Sequence, residues 1–106
     1  MAHNFTAQRR ETFDTFKDLP KGEKLPEMAV VDFLFFAEET DANWKACEAA
    51  LKAKGFKCAR DEDYLVASFG PMPVTPEAIW EREELATRIA LSHDFYPDGW
   101  DLGLEG

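Results

Sequence analysis

Residues 28–36, Met-Ala-Val-Val-Asp-Phe-Leu-Phe-Phe, constrain this chain more than any other stretch. The run is apolar nearly throughout, and only Asp32 interrupts it. Its valines and phenylalanines favour a strand, and the turn-like Gly22 and Pro26 precede it. A strand with one wet face alternates apolar and polar residues. A strand apolar at consecutive positions reads as buried on both faces. The rest of the chain is then expected to cover two sides of it. At 106 residues the chain makes one domain, 1–106, and buries roughly two thirds of its unfolded surface.

The elements on either side follow from periodicity and caps. Residues 4–19 predict a first helix with Asn4 as N-cap and Phe5, Thr12, Phe16 and Leu19 on one face, flanked by Phe13. Pro20 ends it. Residues 1–27 thus form a helical arm and connector, and 28–106 the core. Thr40 or Asp41 is the expected cap of a second helix striped by Trp44, Cys47, Ala50 and Leu51, with Gly55 as its left-handed stop. A strand over 56–60 turns at Asp61-Glu62-Asp63 and returns over 64–69, broken by Gly70-Pro71-Met72-Pro73. Thr75-Pro76-Glu77 starts a third helix, to about Ser92, with its core stripe on Ala78, Ile79, Leu85, Ala86, Ile89 and Ala90. A last short strand over 95–102 and a tail at 104–106 complete the chain.

From residue 28 the order is βαββαβ. That order predicts an α+β fold, a ferredoxin-like four-stranded antiparallel sheet with both helices on one face. The additional N-terminal helix is expected to pack on the other face through Phe5, Phe13, Phe16 and Leu19, which would explain a first strand apolar on both sides.

Charge narrows the function classes. The formal net charge is −9, from 21 acidic against 12 basic residues. Such a surface repels phosphate backbones, so no direct nucleic-acid binding is expected, and it favours basic partners. No apolar run reaches the ~18 residues of a membrane span, and residues 1–10 lack the apolar core of a secretory signal, which makes the cytoplasm the expected compartment. Cys47 and Cys58 are expected as free, buried thiols. With His3 and His93 far apart, no metal site and no cofactor are expected. The aspartates 61, 63, 94, 98 and 101 fall at turns without a base or an orienting partner, so no catalytic residue is assigned. Ser68 has no histidine fixed beside it by sequence.

Two tryptophans remain. Trp80 lies off the core stripe of the third helix, among Glu77, Glu81 and Glu84. Trp100 stands beside Asp98, Gly99 and Asp101. Tryptophans are enriched where proteins meet partners, and arginine both pairs with carboxylates and stacks on indoles. Glu77, Trp80, Glu81, Glu84, Asp98, Trp100 and Asp101 are therefore the candidate partner-binding residues for a basic protein segment. The alternative is a ferredoxin-like small-molecule-binding module with an apolar pocket between the sheet and the first helix.

Four motifs carry a family resemblance: Gln8-Arg9-Arg10-Glu11-Thr12, the helix end with Gly55-Phe56, Thr75-Pro76-Glu77-Ala78-Ile79, and Tyr96-Pro97-Asp98-Gly99-Trp100. Together they resemble the regulator of ribonuclease E activity B family, whose signature is Tyr-Asp-Gly-Trp after a long last helix. Here Pro97 interrupts that signature, and Tyr96, Asp98, Gly99 and Trp100 are the matching positions. The resemblance implies a small acidic bacterial cytoplasmic protein with a ferredoxin-like domain. It implies a non-catalytic regulator that binds ribonuclease E and modulates RNA decay. The two edge strands of a ferredoxin-like sheet can pair across a twofold axis, so a monomer or weak homodimer is expected.

Overall fold

Local signals start each described helix. The computed structural model describes residues 3–18, 25–38 and 43–103. In chain order the elements are α1 (Phe5–Lys17), β1 (Met28–Ala37), α2 (Trp44–Lys52), β2 (Lys57–Asp61), β3 (Tyr64–Pro73), α3 (Pro76–Leu91) and β4 (Phe95–Gly103). Each helix starts on a side-chain oxygen that accepts a backbone N–H three residues on: Asn4 from Ala7, Asn43 from Ala46, Thr75 from Ala78. Asn43 therefore caps α2, while Thr40, Asp41, Leu19 and Pro20 lie outside the described residues. The expected tail at 104–106 lies outside them too.

The four strands form one antiparallel sheet in the order β2-β3-β1-β4, with β1 between β3 and β4. Two register shifts bend it. Between Ala29 and Val31, β3 places Gly70 and Pro71 opposite Val30 alone, and there it does not break as expected but continues to Pro73, burying Met72. The shift accommodates Gly70, where an added Cβ would lie 2.7 Å from the Ala29 carbonyl oxygen. Gly55 is left-handed, φ +94°, but sits beyond the Ala53 cap, where its N–H and that of Phe56 close the helix end on Lys52 and Leu51.

Alternation along the strands separates two faces. Val31, Phe33 and Phe35 of β1, Leu65 and Ala67 of β3 and Phe95 of β4 are buried against Cys47 and Leu51 of α2 and Ile79, Ala86 and Ala90 of α3. Trp44 meets Phe95 edge-on at 4.9 Å between ring centroids. At the margin the Arg82 guanidinium lies 4.1 Å over the Phe69 ring, its charge carried to the edge of the core.

The first helix is not where the apolar pattern placed it. It packs beside α3 and over β4, on the same side as α2 and α3, and not on the opposite sheet face. Its buried residues are Gln8 and Thr12. Phe5 and Phe13 are half-buried under arginines, Arg88 at 4.3 Å and Arg9 at 4.2 Å. A helix whose buried side is polar seeks polar partners, and α3 supplies them. Among the described residues, no helix covers the second sheet face.

Candidate functional site

The Tyr96-Pro97-Asp98-Gly99-Trp100 motif is a β-bulge. Phe35 pairs with Pro97 and Phe33 with Trp100, so Asp98 and Gly99 together stand opposite Leu34. In an unbroken strand Trp100 would point away from Pro97's side. The extra residue returns it to the helix side. Gly99 makes the turn with φ +92°, and an added Cβ there would meet nothing within 4 Å. Trp100 then stacks on Phe16 of α1 at 5.8 Å, and its indole N–H donates to Thr12 Oγ1 at 3.2 Å. This tryptophan anchors the first helix. It is half-buried, and it also lines an open cleft beside α1.

Behind it lies a buried polar network. Glu83 of α3 is 4% exposed. Its Oε1 accepts from the Thr12 hydroxyl in a short bond, and its Oε2 accepts from Gln8 Nε2 at 3.2 Å. Gln8 Nε2 also donates to Thr87 Oγ1 at 3.0 Å, and Gln8 Oε1 meets His3 Nε2 at 2.7 Å. Burial pushes the Glu83 carboxyl up to about 7; the Thr12 and Gln8 hydrogen bonds pull it down, and the Glu11 charge adds to the rise. The network joins α1 to α3 with no buried side-chain polar atom unpaired among the described residues. Nothing in the apolar periodicity of either helix announced Glu83, Gln8 or Thr87. The local signal was polar residues on the inward side of two amphipathic helices.

An open cleft of about 490 Å³ runs between α1 and β4, lined by Thr12, Thr15, Phe16, Leu25, Trp100 and Leu102 with Glu83 and Glu11 at its polar side. The cleft lies on the helix side of the sheet, because α1 packs beside α3 and not on the opposite face where a pocket under it was expected.

The remaining candidate residues do not form one site. Glu77 and Glu81 are exposed, Glu84 is half-exposed and holds Arg88 at 3.0 Å, and Trp80 is half-buried. Asp98 lies on β4 and accepts from the Tyr64 hydroxyl at 2.9 Å, a bond that raises the tyrosine's own pKa. Asp101 pairs in register with Asp32 of β1, on the sheet face away from the helices. The cysteines are free, and burial pushes the Cys47 thiol up to about 12, so it is no thiolate nucleophile.

Fold and site thus define a small α+β domain whose buried polar groups hold its helices together. Residues 6–102 match the family described as Regulator of ribonuclease activity B, and the chain belongs to that family. The family is one of regulators of an enzyme. No curated protein matches the chain. Among the described residues, no helix is long and apolar enough to cross a membrane.

Proposed function

We propose that this protein is a non-catalytic regulator that docks on a basic segment of a ribonuclease, ribonuclease E in the first instance, and so modulates RNA decay in a bacterial cytoplasm. The match to the family of ribonuclease regulators over residues 6–102 carries this reading. The strand order β2-β3-β1-β4 with βαββαβ connections supports reading the core as ferredoxin-like, extended by the N-terminal helix. A net charge of −9 suits a protein partner rich in arginine or lysine and works against direct contact with RNA. Glu77, Glu81 and Glu84 around Trp80 on α3, with Asp98 and Asp101 on β4, give the acidic field that draws such a segment in. Rim charges of this kind act mainly on the association rate. The protein works as a monomer or weak homodimer.

The test is titration of an immobilised basic segment of ribonuclease E with the full chain at low and high salt. Binding at low salt that weakens steeply with salt is the expected outcome. Absence of binding at low salt removes ribonuclease E as the partner.

The cleft between α1 and β4 favours a second reading, a small-molecule-binding module. The two readings separate on Phe16→Ala, which removes one apolar wall of the cleft and leaves the acidic surface intact. Docking on a basic segment predicts unchanged salt-dependent binding for that variant. Regulation through a ligand in the cleft predicts that binding changes with it.

A further inference from the structure

The second face of the sheet presents residues that the core does not use. In register across β3, β1 and β4 stand Tyr64, Phe36 and Tyr96, with Phe36 and Tyr96 centroids 5.8 Å apart and both tyrosines 37% exposed. The next positions inward are Leu34 and Val66, which face each other. Beyond them, Ser68, Asp32 and Asp101 form another row, with the Ser68 hydroxyl donating to Asp32 at 2.6 Å. Asp32 and Asp101 are directly opposite on neighbouring strands, where side chains start roughly 5 Å apart and like charges destabilise the pair. Lys57 stands in the same row two strands from Asp32, and among the described residues neither aspartate is in an ion pair. Asp98 adds a fourth group at the aromatic row through its bond to Tyr64, and Asp61 pairs beside Tyr64 on β2.

Rings on the open face of a four-stranded sheet can stack nucleobases. Among the described residues of this face, four carboxylates against one lysine repel the phosphates that come with them. A guanidinium meets both requirements: it is planar enough to lie on the rings, and its fork of donors can satisfy two facing carboxylates. We infer that the open sheet face binds an arginine-bearing protein segment, one guanidinium lying between Asp32 and Asp101 and another on the Tyr64-Phe36-Tyr96 row. The inference rests on the docking reading above and names the surface that seats the segment, with α3 left to steer it. The two rows are four residues apart along β1, which at the rise of a strand is about 13 Å. In an extended segment that span again corresponds to four residues.

The test uses the full chain and two probes, the basic segment of ribonuclease E and octa-arginine, with wild type, the Asp32→Asn/Asp101→Asn pair, Tyr96→Ala, and the Glu77→Lys/Glu84→Lys pair. The expected result is that the aspartate pair and Tyr96→Ala each weaken both probes by about tenfold or more, chiefly through faster dissociation, while the α3 pair mainly slows association. Folding is checked independently, because Asp101→Asn relieves the facing charges and should raise Tm by roughly 2 °C. Binding of octa-arginine on this face without binding of the ribonuclease segment leaves the inference standing and removes the enzyme as partner. Binding of the segment that ignores both open-face variants overturns the inference and leaves docking elsewhere. Direct binding of an RNA oligonucleotide by the full chain that Tyr96→Ala abolishes, or a dimer in sedimentation that the same substitutions dissolve, also overturns it, the occupant then being nucleic acid or a second copy.

Discussion

The two faces of the sheet come from the same strands and have different fates. On one, Val31, Phe33 and Phe35 are at most 1% exposed beneath α2 and α3. On the other, Val30, Leu34 and Phe36 are only half-buried, and Asp32 lies among them. Intrinsic strand preference is the same on both sides, so the difference is made by what packs above. The helix layer is filled by three helices side by side because α1 carries Gln8 and Thr12 inward, and these satisfy Glu83 and Thr87. An apolar sheet face offers them nothing, and burying them there unpaired would cost on the order of 1–3 kcal/mol each. Polar matching thus overrode apolar matching, and among the described residues no helix covers the half-buried apolar positions of the second face. Apolar surface edged with charge is what a binding face requires.

Substitution at neighbouring β1 positions gives the largest contrast. Phe33→Ala opens a cavity in the covered face and should lower unfolding stability by about 3–5 kcal/mol, whereas Leu34→Ala on the open face should lower it by only about 1 kcal/mol. Denaturant titration of both variants checks this. Similar losses at the two positions would mean that the second face is covered after all.

Glu83 sharpens the comparison from inside the helix layer. Its folded carboxyl titrates at about 7 against an ordinary 4.5, so the folded state holds the proton more tightly. The stability tied to that proton is full at low pH and is lost as pH rises from about 4.5 through about 7. The loss is on the order of 3 kcal/mol. Glu83→Gln keeps one acceptor oxygen for Thr12 or Gln8, puts an NH2 donor in place of the other, and carries no charge. Unfolding measured from pH 5 to pH 8 should show the variant gaining on wild type as pH rises, with a plateau above neutrality. Parallel pH profiles would place the ionised carboxylate in contact with water.

The smallest effects lie at the two turns that hold the sheet to its helices. Gly55→Ala and Gly99→Ala each force a side chain into a left-handed backbone and should cost about 1 kcal/mol. The Gly55 change should be the larger, because its Cβ would come within 3.3 Å of the Phe69 ring while that of Gly99 meets nothing. Paired thermal melts read the order directly. A reversed order would show that the bulge before Trp100 is held more tightly than the end of α2.

The candidate site divides along the same line. The Tyr96–Trp100 motif was legible as a pattern, yet its role was not. Its indole is committed to Thr12 and Phe16, and of the carboxylates beside it, Asp98 and Asp101 belong with the open face. Asp32 was visible only as an interruption in an apolar run, although in the sheet it is the residue that faces Asp101.

By itself, the sequence determined that three helices and four strands form among the described residues and that α1 and α3 start at Asn4 and Thr75, because caps, left-handed glycines and apolar periodicity act within a few residues of one another; the start of α2 it set at Thr40 or Asp41, whereas Asn43 caps that helix. It also determined the acidity and the family motifs. Only the tertiary structure decided which side of the sheet the first helix joins and hence which side remains open. That choice rests on Gln8, Thr12, Glu83 and Thr87, whose hydrogen bonds span 71 to 79 residues. A polar side chain states that it needs a partner, but its own stretch of chain does not say where the partner is.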